Sequence, residues 1–124
     1  MAQILIADDD PVILLVLKDM LESEGHAVVV VENGLLAEQA MACWHFDLFI
    51  CDIFMPEREG IEIISDLRKR RSQLPVLMIS INPGYLRMAK MLGARDVLAK
   101  PIDAAEFRQR VARLLDSGDG QPKA

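Results

Sequence analysis

Hydrophobic and polar positions along this chain follow two alternating periods. Short runs in which nearly every position is apolar recur at regular intervals. Each is followed by a longer stretch whose apolar residues fall three or four apart. The short runs read as strands over residues 3–7, 26–33, 46–52, 74–80 and 96–100. The longer stretches read as helices over 11–24, 34–44, 60–71, 85–92 and 104–115. Asp10 stands as an N-cap before Pro11, Gly25 closes the first helix, and Asp103 with Glu106 has capping-box spacing. Strands apolar on both alternations are covered on both faces. Five βα units in succession therefore predict an α/β fold, a parallel sheet with helices on both faces. The final "SGDGQPKA", residues 117–124, follows neither period. It is expected to be a disordered tail or the start of a linker, with one domain over 1–116.

Composition narrows the picture only a little. The 124 residues suit one domain, and an apolar content of 52% supplies a core. A net charge of −5 argues against a broad electrostatic footprint for nucleic acid. Cys43 and Cys51 lack CxxC spacing, so neither a zinc site nor a disulfide framework is expected, and a cytoplasmic setting is. No run reaches the roughly 18–20 apolar residues of a membrane span.

The polar residues that interrupt the pattern carry more. In an open parallel sheet, ligands gather outside the carboxyl ends of the strands. Asp8 and Asp9 follow the first strand, Asp52 ends the third, Ser80 the fourth, and Lys100 the fifth, before Pro101. Adjacent carboxylates repel and raise one another's pKa unless something offsets the charge. Asp8, Asp9 and Asp52 would converge on one rim and share a hard cation, for which Mg²⁺ has the right ligand preference. Asp10 reads as a helix cap.

This set, with the "DIFMP" segment at 52–56, Gly60 and "GARDVLAKP" at 93–101, resembles the receiver domain of bacterial two-component response regulators. The resemblance runs from Gln3 to about Leu115. It implies a flavodoxin-like receiver fold with strand order 2-1-3-4-5. It implies Asp52 as phosphoacceptor, and Mg²⁺ held directly by Asp9, Asp52 and the Phe54 backbone carbonyl, with Asp8 acting through a bound water. Ser80 would hydrogen-bond a phosphoryl oxygen, and Lys100 would pair with Asp52 and then with the phosphoryl group. The implied donor is a histidine kinase or phosphotransfer protein, and the implied recipient a downstream effector domain or protein. Homodimerisation through helix four, strand five and helix five stays open. Neither membrane nor direct nucleic-acid binding is implied. Such a domain takes part in its own phosphorylation and dephosphorylation but is not a turnover enzyme.

Several positions depart from the family pattern. Val97 occupies the place of a usual aromatic switch, and Ile81 follows Ser80 where a small residue is usual. Ile81 and Phe54 are expected to lean over the phosphoryl group and exclude water. The segment after Ser80 is short and contains "NPG" at 82–84, so helix four should start late or be short. On helix one, Ile13, Val16, Leu17, Met20 and Leu21 form the expected buried stripe. Leu14 then lies on its flank and Leu15 opposite, either incidental or a docking patch. The run "RKRR" at 68–71 reads as a solvated helix end, where cations favour the helix dipole. His26, His45, Met78, Met88, Met91 and Cys51 read as packing or surface residues. Two rivals remain: a pseudo-receiver acting as a constitutive interaction module without phosphorylation, and an aspartyl phosphatase. The latter family resembles DxDx[TV], where this chain has Phe54 at the second acid position.

Overall fold

The computed structural model describes residues 1–55 and 57–120. Its elements run β1 (Gln3–Ala7), α1 (Pro11–Glu22), β2 (Ala27–Val31), α2 (Gly34–Cys43) and β3 (Leu48–Asp52). They continue α3 (Gly60–Lys69), β4 (Val76–Ser80), α4 (Pro83–Met91), β5 (Asp96–Ala99) and α5 (Ala104–Gly120). All neighbouring strands pair in parallel, in the order β2-β1-β3-β4-β5. This is the expected flavodoxin-like arrangement.

The period-two pleat divides the interior into two cores. Ile4, Ile6, Leu48, Ile50, Leu77 and Ile79 point to one side, where Leu14, Leu17 and Leu21 of α1 and Phe107, Val111 and Leu114 of α5 meet them. Leu5, Ala7, Phe49, Cys51, Val76 and Met78 point to the other, against Ala37, Ala40, Ile63, Ile64, Leu86 and Ala89 of α2, α3 and α4. Every side chain of β3 and β4 is buried, as two-sided cover requires.

Four expectations need correction. On α1 the buried residues are Leu14, Leu17 and Leu21, while Val16 is half exposed and Val12 and Leu15 are exposed. Residues 12–17 are apolar without a break, so periodicity alone permits more than one phase, and packing against the sheet selects it. Residues 32–33 do not extend β2, because the Asn33 side chain turns to accept from the Leu36 N–H at 2.8 Å and caps α2. Helix α4 is short, one of the two alternatives expected, but it does not start late. Asn82 accepts from the Gly84 N–H at 2.8 Å and Pro83 opens the helix, which then runs nine residues. Helix α5 continues past Leu115 to Gly120, since elongation adds one backbone hydrogen bond per residue fixed. The rest of the expected tail, 121–124, lies outside the described residues.

The corrected phase of α1 can be measured. Leu14→Ala should destabilise the fold by about 2–5 kcal/mol, the usual range for a truncated buried leucine. Val16→Ala should stay within about 1 kcal/mol. Urea unfolding of both variants checks this, and equal losses would contradict the packing described.

Candidate functional site

The carboxyl ends of the strands bring the singled-out polar residues together. Asp52 and Ser80 are the last residues of β3 and β4. Asp8 and Lys100 lie one residue beyond β1 and β5, yet the sheet still holds their backbones. The Asp8 N–H donates to Val31 O at 3.2 Å, and the Lys100 N–H to Ser80 O at 3.0 Å. Alternation places Asp8, Asp52 and Lys100 on the α1/α5 side and Ser80 on the opposite side.

Asp8 is fully buried, and Asp52 and Ser80 nearly so. Lys100 Nζ stands 3.1 Å from Asp8 Oδ2 and 3.4 Å from Asp52 Oδ2. Asp8 Oδ1 accepts from the Asp10 N–H at 2.9 Å. Asp8 Oδ2 receives no well-aligned hydrogen bond despite its burial. Asp9 is exposed, and oxygens of Asp8, Asp9 and Asp52 lie within 4.8 Å of one another. Asp10 caps α1, accepting from the Val12 N–H at 2.9 Å, as expected.

Electrostatics follow from this packing. Burial, then the neighbouring charges of Asp8 and Asp9, push the Asp52 carboxyl up to about 6, against the opposing pull of Lys100. Burial alone would lower the Lys100 ammonium, but Asp8 and Asp52 outweigh it and hold it above its usual value. Cys51 is a core residue. Burial first, and then Asp52 and Asp8, raise its thiol well above the ordinary range, so it stays protonated. Three carboxylates against one ammonium, with a buried oxygen lacking a hydrogen bond, fit a hard divalent cation.

The loop after Asp52 is pinned at several points. A Cβ on Gly34 would lie 1.8 Å from Arg58 O, and one on Gly60 2.6 Å from Asp52 O. The loop backbone therefore packs directly on the starts of α2 and α3. The Arg58 guanidinium bridges Glu38 of α2, at 2.8 Å, and Asp66 of α3. Phe54, half exposed, meets Tyr85 of α4 edge to face, with centroids 4.6 Å apart. Ser80 Oγ accepts from the Asn82 N–H at 3.1 Å. Ile81 is 77% exposed. Sequence reasoning did not single out Arg58 or Tyr85, and no local pattern marks either. Asn82 was missed too, although an Asn directly before a proline is a local N-cap signal.

A family model described as response regulator receiver domain matches residues 4–112. The chain belongs to that family. It is 37% identical over 116 residues to Regulator of RpoS from Escherichia coli (strain K12), covering 91% of this chain and 34% of that protein. It is 35% identical over 119 residues to transcriptional regulatory protein CpxR from Klebsiella pneumoniae, covering 93% of this chain and 50% of that protein. The chain thus spans between a third and a half of these curated relatives. Among solved structures, the receiver domain of Francisella response regulator 1452 has a TM-score of 0.88 at 28% identity, covering 94% of this chain and 98% of that one. Response regulator TrrA from Thermotoga maritima, determined with Mg²⁺ and BeF, has a TM-score of 0.84 at 29% identity, covering 92% and 99%. A receiver domain is a signalling module of two-component systems. Among the described residues, no helix of this one is long and apolar enough to cross a membrane.

The raised Asp52 carboxyl gives the receiver domain a pH signature. An acid whose folded pKa lies above its unfolded value loses stability as pH rises through the interval, here from 3.8 to about 6. Asp52→Asn removes that loss. In EDTA-containing buffer at pH 8 the variant should be more stable than the parent, by less than the about 3 kcal/mol of the undiscounted shift because solvent screens part of it. The gain should vanish below about pH 4. Parallel urea unfolding curves across pH check it, and a pH-independent difference would contradict the burial argument.

Proposed function

We propose that this receiver domain takes a phosphoryl group from a phosphohistidine donor onto Asp52, with Mg²⁺, and so changes a partner-binding face. The single observation supporting this is the Lys100 ammonium set between Asp8 and Asp52, beside three carboxylates whose oxygens lie within 4.8 Å. An Asp52 oxygen attacks phosphorus in line. The donor's P–N bond breaks as the Asp52 O–P bond forms, and the leaving imidazole takes a proton. Lys100 exchanges its contact with Asp52 for a phosphoryl oxygen, its flexible stem suiting a shifting anion. Asp9, Asp52 and the Phe54 carbonyl would hold Mg²⁺, with Asp8 contributing less directly. When bound, the cation neutralises charge on the phosphoryl oxygens. Ser80 gives up the Asn82 N–H and donates its hydroxyl to the phosphoryl group.

That exchange supports a route for output without an aromatic residue at Val97. Asn82 caps α4, and Tyr85 of α4 packs on Phe54 of the loop that follows Asp52. Movement of Ser80 therefore bears on the start of α4 and biases two arrangements of the α4–β5–α5 face. A kinase or phosphotransfer protein as donor, an effector domain or protein as recipient, and a homodimer through the same face fit this reading. The exposed Val12, Leu15 and Val16, at the α1 end nearest the acids, suit donor docking. Two free cysteines suit a reducing cytoplasm. The complete set of Asp8, Asp9, Asp52, Ser80 and Lys100 speaks against a pseudo-receiver. Phe54 at the second acid position speaks against a turnover phosphatase.

Incubation with acetyl phosphate and Mg²⁺ should add one acid-stable, base-labile phosphoryl group by intact mass, and none to Asp52→Asn. Unchanged yield in that variant would sink the assignment. Calorimetry should show Asp9→Ala weakening Mg²⁺ more than Asp8→Ala. Neither variant should match the parent, since even outer-shell losses cost about 10–100-fold. Equal affinity across all three proteins would remove the metal from this rim.

A further inference from the structure

Charge is sharply segregated along this chain. Residues 68–95 hold seven of the fourteen Lys and Arg and none of the nineteen Asp and Glu. The seven are Arg68, Lys69, Arg70, Arg71, Arg87, Lys90 and Arg95, and all are exposed. Among the described residues, none forms an ion pair, whereas Lys18, Arg58, Lys100, Arg108 and Arg110 all do.

The fold brings the end of α3, with Arg68 to Arg71, beside the end of α4 with Lys90 and the Arg95 that follows it, while Arg87 lies nearer the start of α4. Arg68 Nη1 donates to Met91 O at 3.3 Å, and Lys90 Nζ to Arg95 O at 3.3 Å. Between the two ends lies an open groove of about 390 Å³. Arg68 and Arg71 form part of its wall, and Leu67, Leu74, Met91 and Leu92 line it. Met91 is 80% exposed. The helix dipole accounts for one or two cations in the last turn of α3, not for four in a row. Arg71 also adopts a left-handed conformation, φ 58°, where glycine would sit without strain. An arginine is held there at a backbone cost.

We infer that this basic, apolar-floored groove at the ends of α3 and α4 docks an acidic segment of another protein, one carrying aliphatic side chains among its carboxylates. The aliphatic residues of the partner cover Met91 and its neighbours, and its acids meet the ring of cations. Nucleic acid fits less well. The groove lining has no aromatic side chain on which a base can stack. None of Asp8, Asp9, Asp52, Ser80 and Lys100 lines it.

Fluorescence anisotropy with three labelled probes of equal charge tests this on the full chain: an amphipathic glutamate–leucine peptide, an oligoglutamate and a single-stranded oligothymidine. The glutamate–leucine peptide should bind tightest, at least tenfold over either other probe, and should weaken as salt rises. Arg68→Glu with Arg71→Glu should reduce its affinity at least tenfold, and Met91→Ser severalfold with charge intact. Because Arg68 also holds the end of α4, Lys69→Glu with Arg70→Glu serves as a second charge-reversed variant, with thermal melting confirming that each folds. Equal binding of oligoglutamate reduces the groove to charge alone and overturns the proposal. Tighter binding of oligothymidine makes it a nucleic-acid surface. Parental affinity in both charge-reversed variants moves the site elsewhere. Self-association at low salt that the same variants abolish replaces the partner by a second copy.

Discussion

Two carboxylates and one ammonium withdrawn from water, at the ends of β1, β3 and β5, set the terms for the rest of the molecule. Each Lys100 contact, at 3.1 and 3.4 Å, is worth roughly 5 kcal/mol of gross attraction at an effective dielectric near 20, before desolvation is subtracted. That attraction does not restore Asp52 to its ordinary value. The carboxyl stays near 6, because burial and Asp8 outweigh Lys100. The rim therefore carries more negative charge than its own cation offsets. Groups in that condition favour whatever adds positive charge, such as a hard divalent cation.

The scaffold around the rim absorbs this unfavourable arrangement. Both cores press on the same sheet, and the strands that deliver Asp8, Asp52 and Ser80 are its three most deeply covered. The loop after Asp52 has little freedom, since Gly34 and Gly60 admit its backbone to contact distance and Arg58 ties it to α2 and α3. Rigid support beneath a strained polar site is a common division of labour in proteins. The segment after Ser80 is held more lightly. A single hydroxyl contact to Asn82 and one aromatic pair connect that segment to the acids. Contacts so few can exchange without disturbing the core, whereas a change at Gly34 or Gly60 would have to move backbone.

Charge distribution makes the two ends of the molecule different in kind. Asp8, Asp9, Asp10 and Asp52 stand together at the carboxyl ends of β1 and β3. Arg68 to Arg71, Lys90 and Arg95, none in an ion pair among the described residues, lie at or just past the C-terminal ends of α3 and α4. A net charge of −5 hides this asymmetry, because it averages a strongly acidic remainder with a 28-residue stretch that lacks acids altogether. Association of such a domain depends on which end a partner meets, and on ionic strength.

The sequence by itself determined the parallel α/β architecture, the ends of β1, β3 and β4, the Asp10 cap and the polar residues that follow or end those strands. Each of these depends on local pattern: apolar runs for two-sided strands, caps for helix starts, polar residues where runs stop. Tertiary structure decided which phase of α1 is buried, because six successive apolar residues carry no phase of their own and only the sheet chooses Leu14 over Val16. It decided that Asn33 caps α2 instead of ending β2, because its side chain must find the Leu36 N–H. It paired Arg58 with Glu38 and Asp66, and Phe54 with Tyr85, across separations that no local period encodes. It also brought the end of α3 to the end of α4, so that a charge run on one helix became one wall of a shared groove. Periodicity is a property of one segment against an averaged surface, whereas these contacts depend on which particular segments the closed sheet places side by side.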